Sequence, residues 1–480
     1  MGLRTSEQYK ASLKDGREVY YRGERVADVT THPVIGVAVE HACIDYRMAE
    51  DPRYRDLAVV TDPQSGEEYS RYYHIPRSAE DLLQRSRLIA ASTREGATLV
   101  VLIKEIGTDA LFALLIIAEE LAKRGKPEYK ERVQKYYELC RQEDYGVAVA
   151  QTDVKSDRSL GPVGQEHPDY YVHIVEERQD GIVVRGAKVH TSVVTNTHEV
   201  LVLPTRAMRA DDKAYAVAFA LPVATQGLKL ITSPYGGWKK DPFEFPISAR
   251  HKMMETLTVF DDVFVPRERV FLCGEWEAAG LLALTFVKFH RFTAVSYKLP
   301  LLELLVGTAK AMADYNGVEG AGHVREKLTR LAAYHTTVRG LITLAAQECT
   351  MVPPGIAVPN TLLTNVAKWQ FASNYHQAVQ MVQDVSGGLL VTGPGVEDWR
   401  SEATGPYIRK YLGGKKGTQA EHRLRMLNLI SDLTASDFAG YQEVLAVHAE
   451  GSLEAEKIQT YREYDFDSMA AYARELAGIM

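Results

Sequence analysis

The hydrophobic period of this chain changes twice, and those two changes limit the folds open to it more than any single motif does. Up to about residue 145 apolar residues recur at helical spacing, from about 146 to 270 the period falls towards two, and after Val270 the helical spacing returns. Ser78 followed by Asp81 reads as a helix N-cap with an acid at the third position, and Leu82, Leu83, Ile89 and Ala90 follow at helical spacing. Gly107-Thr108-Asp109 opens a second helix carried by Leu111, Leu114, Leu115, Ala118 and Leu121, which Gly125 and Pro127 close. A third helix covers 128–142. In the middle stretch YYVHIVEE, GIVVRGAKVH, EVLVLPT, YAVAFALP and ETLTVFDDVFVP are short strands separated by turns such as Gln179-Asp180-Gly181. Strands in series without intervening helices predict a small barrel or sandwich. Beyond 270, helices over 276–297, 300–315, 322–350, 361–385 and 418–440 predict a bundle.

The order predicts an α+β chain of 480 residues with a helical domain over 1–145, a β domain over 146–270, a helical bundle over 271–440 and a tail over 441–480. The tail, with Tyr441, His448, Tyr461, Tyr464 and alternating acids, reads as a helical or extended segment that wraps a neighbour. A net charge of −7 offers no basic field for nucleic acid. Cys43, Cys140, Cys273 and Cys349 lie far apart, with no CxxC, a pattern suited to a reducing cytoplasm rather than a disulfide framework. The longest apolar run, Ala110 to Ala118, is too short to span a bilayer and reads as a buried helix, so no membrane partner is expected. The first twenty residues lack an apolar core of signal-peptide length. No GxGxxG stands between a strand and a helix, which disfavours a Rossmann domain and leaves the chain without a nicotinamide-nucleotide fingerprint.

Four stretches carry polar chemistry. QTDVKSDRSLGP, Gln151 to Pro162, gathers Thr152, Asp153, Lys155, Ser156, Asp157 and Arg158 ahead of Gly161-Pro162, a turn that suits an anion such as pyrophosphate or is simply a solvated loop. RGAKVHTSVVTNTHE, Arg185 to Glu199, is a strand ending in hydroxyls at Thr191, Ser192, Thr195 and Thr197 that could face a planar ring. FHRFTAVSYK puts His290, Thr293, Ala294 and Tyr297 on one helix face with Lys298 near it. Imidazole, phenol and ammonium there could move a proton on and off a carbon acid, or could be hydrogen-bonded core residues with Lys298 snorkelling to water. METLTVFDDVFVP offers Glu255, either a base raised in pKa by an apolar strand or an edge-strand carboxylate in water. VSGGLLVT offers Gly387-Gly388, which also reads as a helix C-cap.

Taken in order, TDVKSDRSLGP, VVRGAKVHTSVVTNTHE and YAVAFALP resemble the 4-hydroxyphenylacetate 3-hydroxylase family of flavoproteins. Within that family they resemble the 4-hydroxybutyryl-CoA dehydratase branch more closely. The resemblance runs from SEQYKASL and HPVIGVAVEH near the start to GYQEVL near the end. It implies an acyl-CoA-dehydrogenase-like fold, with an N-terminal helical domain, a central β-barrel and a C-terminal helical bundle, assembled as a homotetramer. It implies that Lys155 to Arg158 and the Gly161 turn lie against the diphosphate and ribityl part of FAD, with Ser192 near the flavin N5. The segment around Gly451 and Ser452 would reach the adenine end. Glu255 matches the family's catalytic glutamate, and Glu443 falls close to another glutamate of the dehydratase site.

Two departures restrict what else is implied. The dehydratase branch holds a [4Fe–4S] cluster on three cysteines and a histidine. Here His290 and the following Lys298 are kept, while Val101, Glu105 and Tyr297 stand where the cysteines should be, so no cluster is expected. The hydroxylase branch reads its phenol with an Arg, a Tyr and a His, and those positions hold Ile106, Ala110 and Val149. The resemblance therefore implies an FAD-dependent oxidoreductase, most simply a two-component monooxygenase. It would act on a small organic substrate and take reduced FAD from a separate reductase. The alternatives are a cluster-free isomerase or lyase shifting a double bond in an acyl-CoA, with His290, Glu255 and Lys298 moving the proton, and a non-catalytic flavoprotein.

Overall fold

The computed structural model describes residues 2–236 and 239–479. The helices of the first third form where the apolar spacing places them. Ser78 caps Ala79–Glu95 by accepting from the Asp81 amide at 3.2 Å. Glu105–Lys123 is buried on nearly every side, as expected of a helix whose apolar residues leave no polar stripe. This part of the chain is not purely helical: Glu18–Tyr21 and Glu24–Arg25 are strands, and the first pairs in parallel with Leu228–Thr232.

The strands build two sheets rather than one closed barrel. A six-stranded sheet runs in the order Glu24–Arg25, Glu18–Tyr21, Leu228–Thr232, Glu255–Pro266, Gly181–Ser192, His173–Glu177. A four-stranded sheet runs Val270–Cys273, Val217–Pro222, Glu199–Val202, Val147–Ala150. Asp153 and Tyr171 form isolated bridges to Lys188 and Ala187 of the larger sheet, so a corner is bridged without a continuous ladder. The expected barrel falls short because register breaks between Thr256 and Thr258 and between Phe260 and Val263 bend the central strand, and among the described residues only isolated bridges join strand residues across the corner. The register that matters pairs Glu255 with Ser192.

After Val270 the chain is helical. Trp276–Tyr315 is one helix of 40 residues, where a break before Pro300 was expected. Proline in a helix interior costs about 3 kcal/mol. Pro300 is buried, and packing against Ala79–Glu95, Glu105–Lys123, Gly322–Gln347 and Thr361–Ser386 carries the helix through. This helix is apolar and long enough to cross a bilayer, but its most apolar window is 72% buried inside the protein, so it is core. Gly387, at φ +79°, caps Thr361–Ser386, which is the plainer reading of the Gly387-Gly388 pair. The predicted 418–440 helix is two, Ala420–Thr434 and Asp437–His448, parted where Ser436 caps the second. The tail continues as Leu453–Glu463 and Phe466–Leu476, and the last helix exposes Phe466, Met469, Tyr472 and Leu476.

Candidate functional site

Strand pairing sets Ser192 beside Glu255, and the helix Asp437–His448 brings Tyr441 onto the same carboxylate. Ser192 Oγ lies 2.9 Å from both Glu255 oxygens and Tyr441 donates to Oε1 at 2.6 Å. No cation stands within ion-pair distance of Glu255 among the described residues. Burial therefore pushes its carboxyl up to about 7, and the two hydroxyl donors only partly oppose the rise. Tyr441 is held in place by stacking on Tyr235 at 4.6 Å, and Tyr235 is in turn fixed by donating to the Met253 carbonyl.

The helix Trp276–Tyr315 separates its predicted residues into two groups. His290 Nδ1 lies 3.4 Å from Asp109 Oδ2, and its ring stacks on Phe286 at 5.0 Å. The other Asp109 oxygen takes Arg85 at 2.7 Å and Thr293 at 2.9 Å. Two turns on, Lys298 donates to Glu450 at 2.6 Å and Tyr297 donates to the other oxygen of the same carboxylate. Lys368 lies 3.8 Å from Glu450 and 3.9 Å from Glu456, and Arg291 Nε donates to the Glu450 carbonyl at 3.0 Å. Burial pushes the Lys298 ammonium down and the Glu450 carboxyl up. The four side chains expected to act together thus occupy three places: Glu255 with Ser192 and Tyr441, His290 with Asp109, and Tyr297 with Lys298 on Glu450. Asp437–His448 and the turn after it connect the first place to the third.

Glu450, Lys368 and Arg85 were not singled out from the sequence, and Tyr441 and Asp109 were read only as part of the tail and of a helix opening. Asp109 stood in a recognised helix opening, and Glu450 preceded a quoted glycine, but a lone acid gives no spacing signal. Glu443, the glutamate that was singled out, is half-buried, seven residues short of Glu450.

The loop after Ala150 keeps its cations free. Asp153 is bound by Lys188 at 2.6 Å, and Asp157 closes a turn on Ser159, with contacts of 2.9 and 2.6 Å. Ser156 donates to Tyr171 at 2.5 Å, and the Thr152 carbonyl accepts from Val189. Lys155 and Arg158 have no carboxylate within ion-pair distance among the described residues. Burial and the nearby Arg158 push the Lys155 ammonium down. On the same loop a groove of about 520 Å3 runs between Ser156, Asp157, Glu166, Asp169, Tyr170 and the strand residues Ala187 and Leu257. Lys155 and Arg158 are the groups on this loop whose chemistry fits a diphosphate, whereas the groove itself is lined by the carboxylates of Asp157, Glu166 and Asp169. Gly451 and Ser452 stand elsewhere in the single chain. Gly451, at φ +111°, packs against Arg291 where a Cβ would meet the guanidinium at 2.6 Å, and Ser452 caps Leu453–Glu463.

The positions that depart from the two branches are all built into the core. Glu105 is fully buried and shares Tyr72 with Asp45, at 3.3 Å each, while Val101 is also fully buried. With Tyr297 engaged on Glu450, these side chains supply no thiolate and do not fit an iron–sulfur cluster. Ile106, Ala110 and Val149 are buried and apolar. The cavity between Leu99, Tyr297, Lys298 and Leu445 is only about 10 Å3.

Residues 5–272 match the N-terminal model, and residues 279–478 the C-terminal model, of 4-hydroxyphenylacetate 3-hydroxylase. The 4-hydroxybutyryl-CoA dehydratase/vinylacetyl-CoA-Delta-isomerase of Clostridium aminobutyricum is 30% identical over 99% of this chain and 100% of its own. The oxygenase component of 4-hydroxyphenylacetate 3-monooxygenase from Thermus thermophilus is 30% identical over 92% of this chain and 90% of its own. Among solved structures, an archaeal 4-hydroxybutyryl-CoA dehydratase from N. maritimus superposes with a TM-score of 0.93 at 29% identity, covering 100% of this chain and 95% of its own. An oxygenase component of 4-hydroxyphenylacetate 3-monooxygenase complexed with FAD superposes at 0.91 and 28% identity, covering 98% of each chain. With both halves matched and the fold shared end to end, the chain belongs to the 4-hydroxyphenylacetate 3-hydroxylase and 4-hydroxybutyryl-CoA dehydratase family of flavoproteins.

Proposed function

We propose that the protein is the oxygenase of a two-component flavin monooxygenase, using reduced FAD from a separate reductase to hydroxylate a small organic substrate. The observation that carries this reading is the Glu255 carboxylate, held by Ser192 and Tyr441 with its carboxyl pushed up to about 7. It stands at the end of a strand pair whose neighbouring loop presents the unpaired cations Lys155 and Arg158. Lys155 and Arg158 would hold the FAD diphosphate, with Gly161 allowing close approach and Ser192 facing the ring. Reduced FAD supplies the electrons that let one oxygen atom enter the substrate while the other leaves as water. Glu255 takes the substrate's or cofactor's proton in its ionised form, and Asp109 orients His290 as a second proton carrier through Nδ1. The apolar Ile106, Ala110 and Val149 favour a substrate other than 4-hydroxyphenylacetate. The exposed apolar face of Phe466–Leu476 favours burial against a second copy in a homotetramer, and four free cysteines suit the cytoplasm.

A second reading, redox-neutral isomerisation of an acyl-CoA, has in its favour the same base and the 30% identity to the clostridial dehydratase/isomerase. The side chains at the cluster positions count against cluster-dependent dehydration. Oxygen uptake with reduced FAD, coupled to hydroxylation of a substrate panel, supports the first reading. Anaerobic turnover of vinylacetyl-CoA supports the second. Purified protein that binds no FAD overturns both. Arg158→Ala is expected to raise the FAD Kd about tenfold, the worth of one charge-assisted contact, without moving Tm. Titrating FAD fluorescence checks it.

A further inference from the structure

Lys252 stands three residues before Glu255 and is buried, yet no carboxylate lies within ion-pair distance of it among the described residues. A buried ammonium without a counter-ion is costly, so its place calls for a use other than stability. Its contacts converge on one turn. Lys252 Nζ donates to the Tyr235 carbonyl at 2.7 Å and to the Gly236 carbonyl at 3.2 Å. The same ammonium lies 4.0 Å from the centre of the Tyr235 ring. Gly236 is left-handed at φ +58°, and a Cβ there would meet Lys252 Nζ at 2.6 Å and Asp437 Oδ2 at 2.7 Å. The turn is thus pressed between the ammonium and the first turn of the helix Asp437–His448.

That turn carries the ring on which the phenol beside Glu255 rests. Tyr235 lies face to face with Tyr441 at 4.6 Å and 13°, and Tyr441 donates to Glu255 at 2.6 Å. The Tyr235 hydroxyl donates to the Met253 carbonyl at 2.8 Å. Fixing the hydroxyl alone leaves the ring free to turn about its Cβ–Oη axis, and the ammonium against the ring opposes that turning. The rest of the loop between Leu228–Thr232 and Glu255–Pro266 has its own ties to the bundle. Asp432 accepts from the Ile247 and Ser248 amides at 2.9 and 2.8 Å, and Lys240 pairs with Asp437. Neither tie includes Tyr235. The charged groups facing Lys252 are Asp437 on the helix and Lys240 on the loop, and burial pushes its ammonium down to about 8. A neutral amine still has two N–H donors for the two carbonyls, so the grip on the turn persists when the proton leaves.

We infer that Lys252 is a positioning residue for the base: by gripping the 235–236 turn and the Tyr235 ring, it holds Tyr441 at hydrogen-bonding distance from Glu255. Without Lys252 the stacked pair loosens, the ionised Glu255 loses the steady donation of the phenol, and its carboxyl is easier to protonate. This deepens the proposed function and rests on it only where Glu255 is followed through turnover.

Glu255 can be read without turnover. In the purified full-length protein, with and without FAD, infrared difference spectra across pH follow the C=O stretch of protonated carboxyls, and the band missing from Glu255→Gln belongs to Glu255. Lys252→Met is expected to move the midpoint of that band up by roughly half a unit, less than the unit expected for Tyr441→Phe. Lys252→Arg, which keeps the donors and the cation, should restore the parent midpoint. In a Tyr441→Phe background Lys252→Met should add nothing, because the phenol through which Lys252 acts is gone. A further rise of the same size in that background would show the ammonium acting on Glu255 by its charge alone and would overturn the inference. So would a parent midpoint in a folded Lys252→Met. Circular dichroism checks the fold, and should Lys252→Met not fold, Tyr235→Leu removes the stack and is expected to give the same upward shift, with an unshifted midpoint counting against the inference. In turnover the shift should appear as about a threefold loss of kcat at pH 6. An infrared shift without any pH limb in turnover overturns Glu255 as the base and leaves the positioning by Lys252 standing.

Discussion

Glu255 and Glu450 are both hydrogen-bonded carboxylates, near opposite ends of the helix Asp437–His448, yet their surroundings differ in kind. Glu255 is held by two hydroxyls, from Ser192 and Tyr441. Glu450 is held by Lys298 and Tyr297, with Lys368 at 3.8 Å and Arg291 on its carbonyl. Hydroxyl donors serve a carboxylate and a carboxylic acid alike, so Glu255 can gain or lose a proton while its neighbours keep their charge. A proton change at Glu450 unbalances buried ammonium groups. The first arrangement is suited to moving protons, the second to fixing the turn that carries Glu450, itself left-handed at φ +59°.

The largest way to test that contrast is Glu255→Gln. The amide keeps contacts to Ser192 and Tyr441 and stands in for the protonated acid. Stability should therefore change by less than about 1 kcal/mol below about pH 4.5 and rise by roughly 3 kcal/mol at pH 7, while loss of the base should lower kcat by roughly 10²–10⁴. In the parent protein burial favours the protonated acid, so the base is populated only above its pKa, and turnover should climb with pH through about 7. The variant should lose that limb. The sign for stability is opposite. The unfolded carboxyl titrates near its ordinary 4.5 and the folded one near 7, so between those values the folded state holds a proton the unfolded state has released. Stability from this group is complete below about 4.5 and falls by roughly 3 kcal/mol as pH rises to 7. Urea denaturation across that window should show a shallower slope in Glu255→Gln.

Lys298→Met breaks the other site. It leaves Glu450 with a more distant ammonium, and removing one partner of a buried pair costs about 3–5 kcal/mol. Lys298→Met with Glu450→Gln should recover more than half of that loss, since no unmatched carboxylate remains. If the single variant unfolds at the parent's urea midpoint, Lys298 is not held as an ion-pair partner, and its assignment to proton transfer regains ground.

These contrasts were only partly legible in the sequence. Helical and strand periods located the bundle, the β region and the capped Ala79–Glu95 helix because those signals are local. The closure of the strands was not legible, since the breaks after Thr256 and Phe260 and the N-terminal strand at Glu18–Tyr21 depend on partners far along the chain. Pro300 was misread for the same reason: local propensity said break, and packing on four helices said continue. Glu255 and Ser192 came from resemblance, and their adjacency from strand register. The separation of His290 from Lys298 needed three dimensions, because eight residues on a helix share a side without sharing a partner.

The smallest expected effect sharpens the contrast most. Tyr441→Phe removes the 2.6 Å donor to Glu255 but keeps the ring that stacks on Tyr235. The phenol donates to the ionised carboxylate and so holds its pKa down against burial. Without it the carboxyl should rise further, by roughly one unit if the contact favours the ionised form by about 1.4 kcal/mol. The midpoint of the pH–kcat profile should therefore move from about 7 towards 8, with the plateau above it unchanged. At pH 6, where the carboxyl is already protonated, stability should fall by about 1 kcal/mol or less. Were the same midpoint to stay fixed in Tyr441→Phe, or move to lower pH, the titrating group would lie elsewhere than on Glu255.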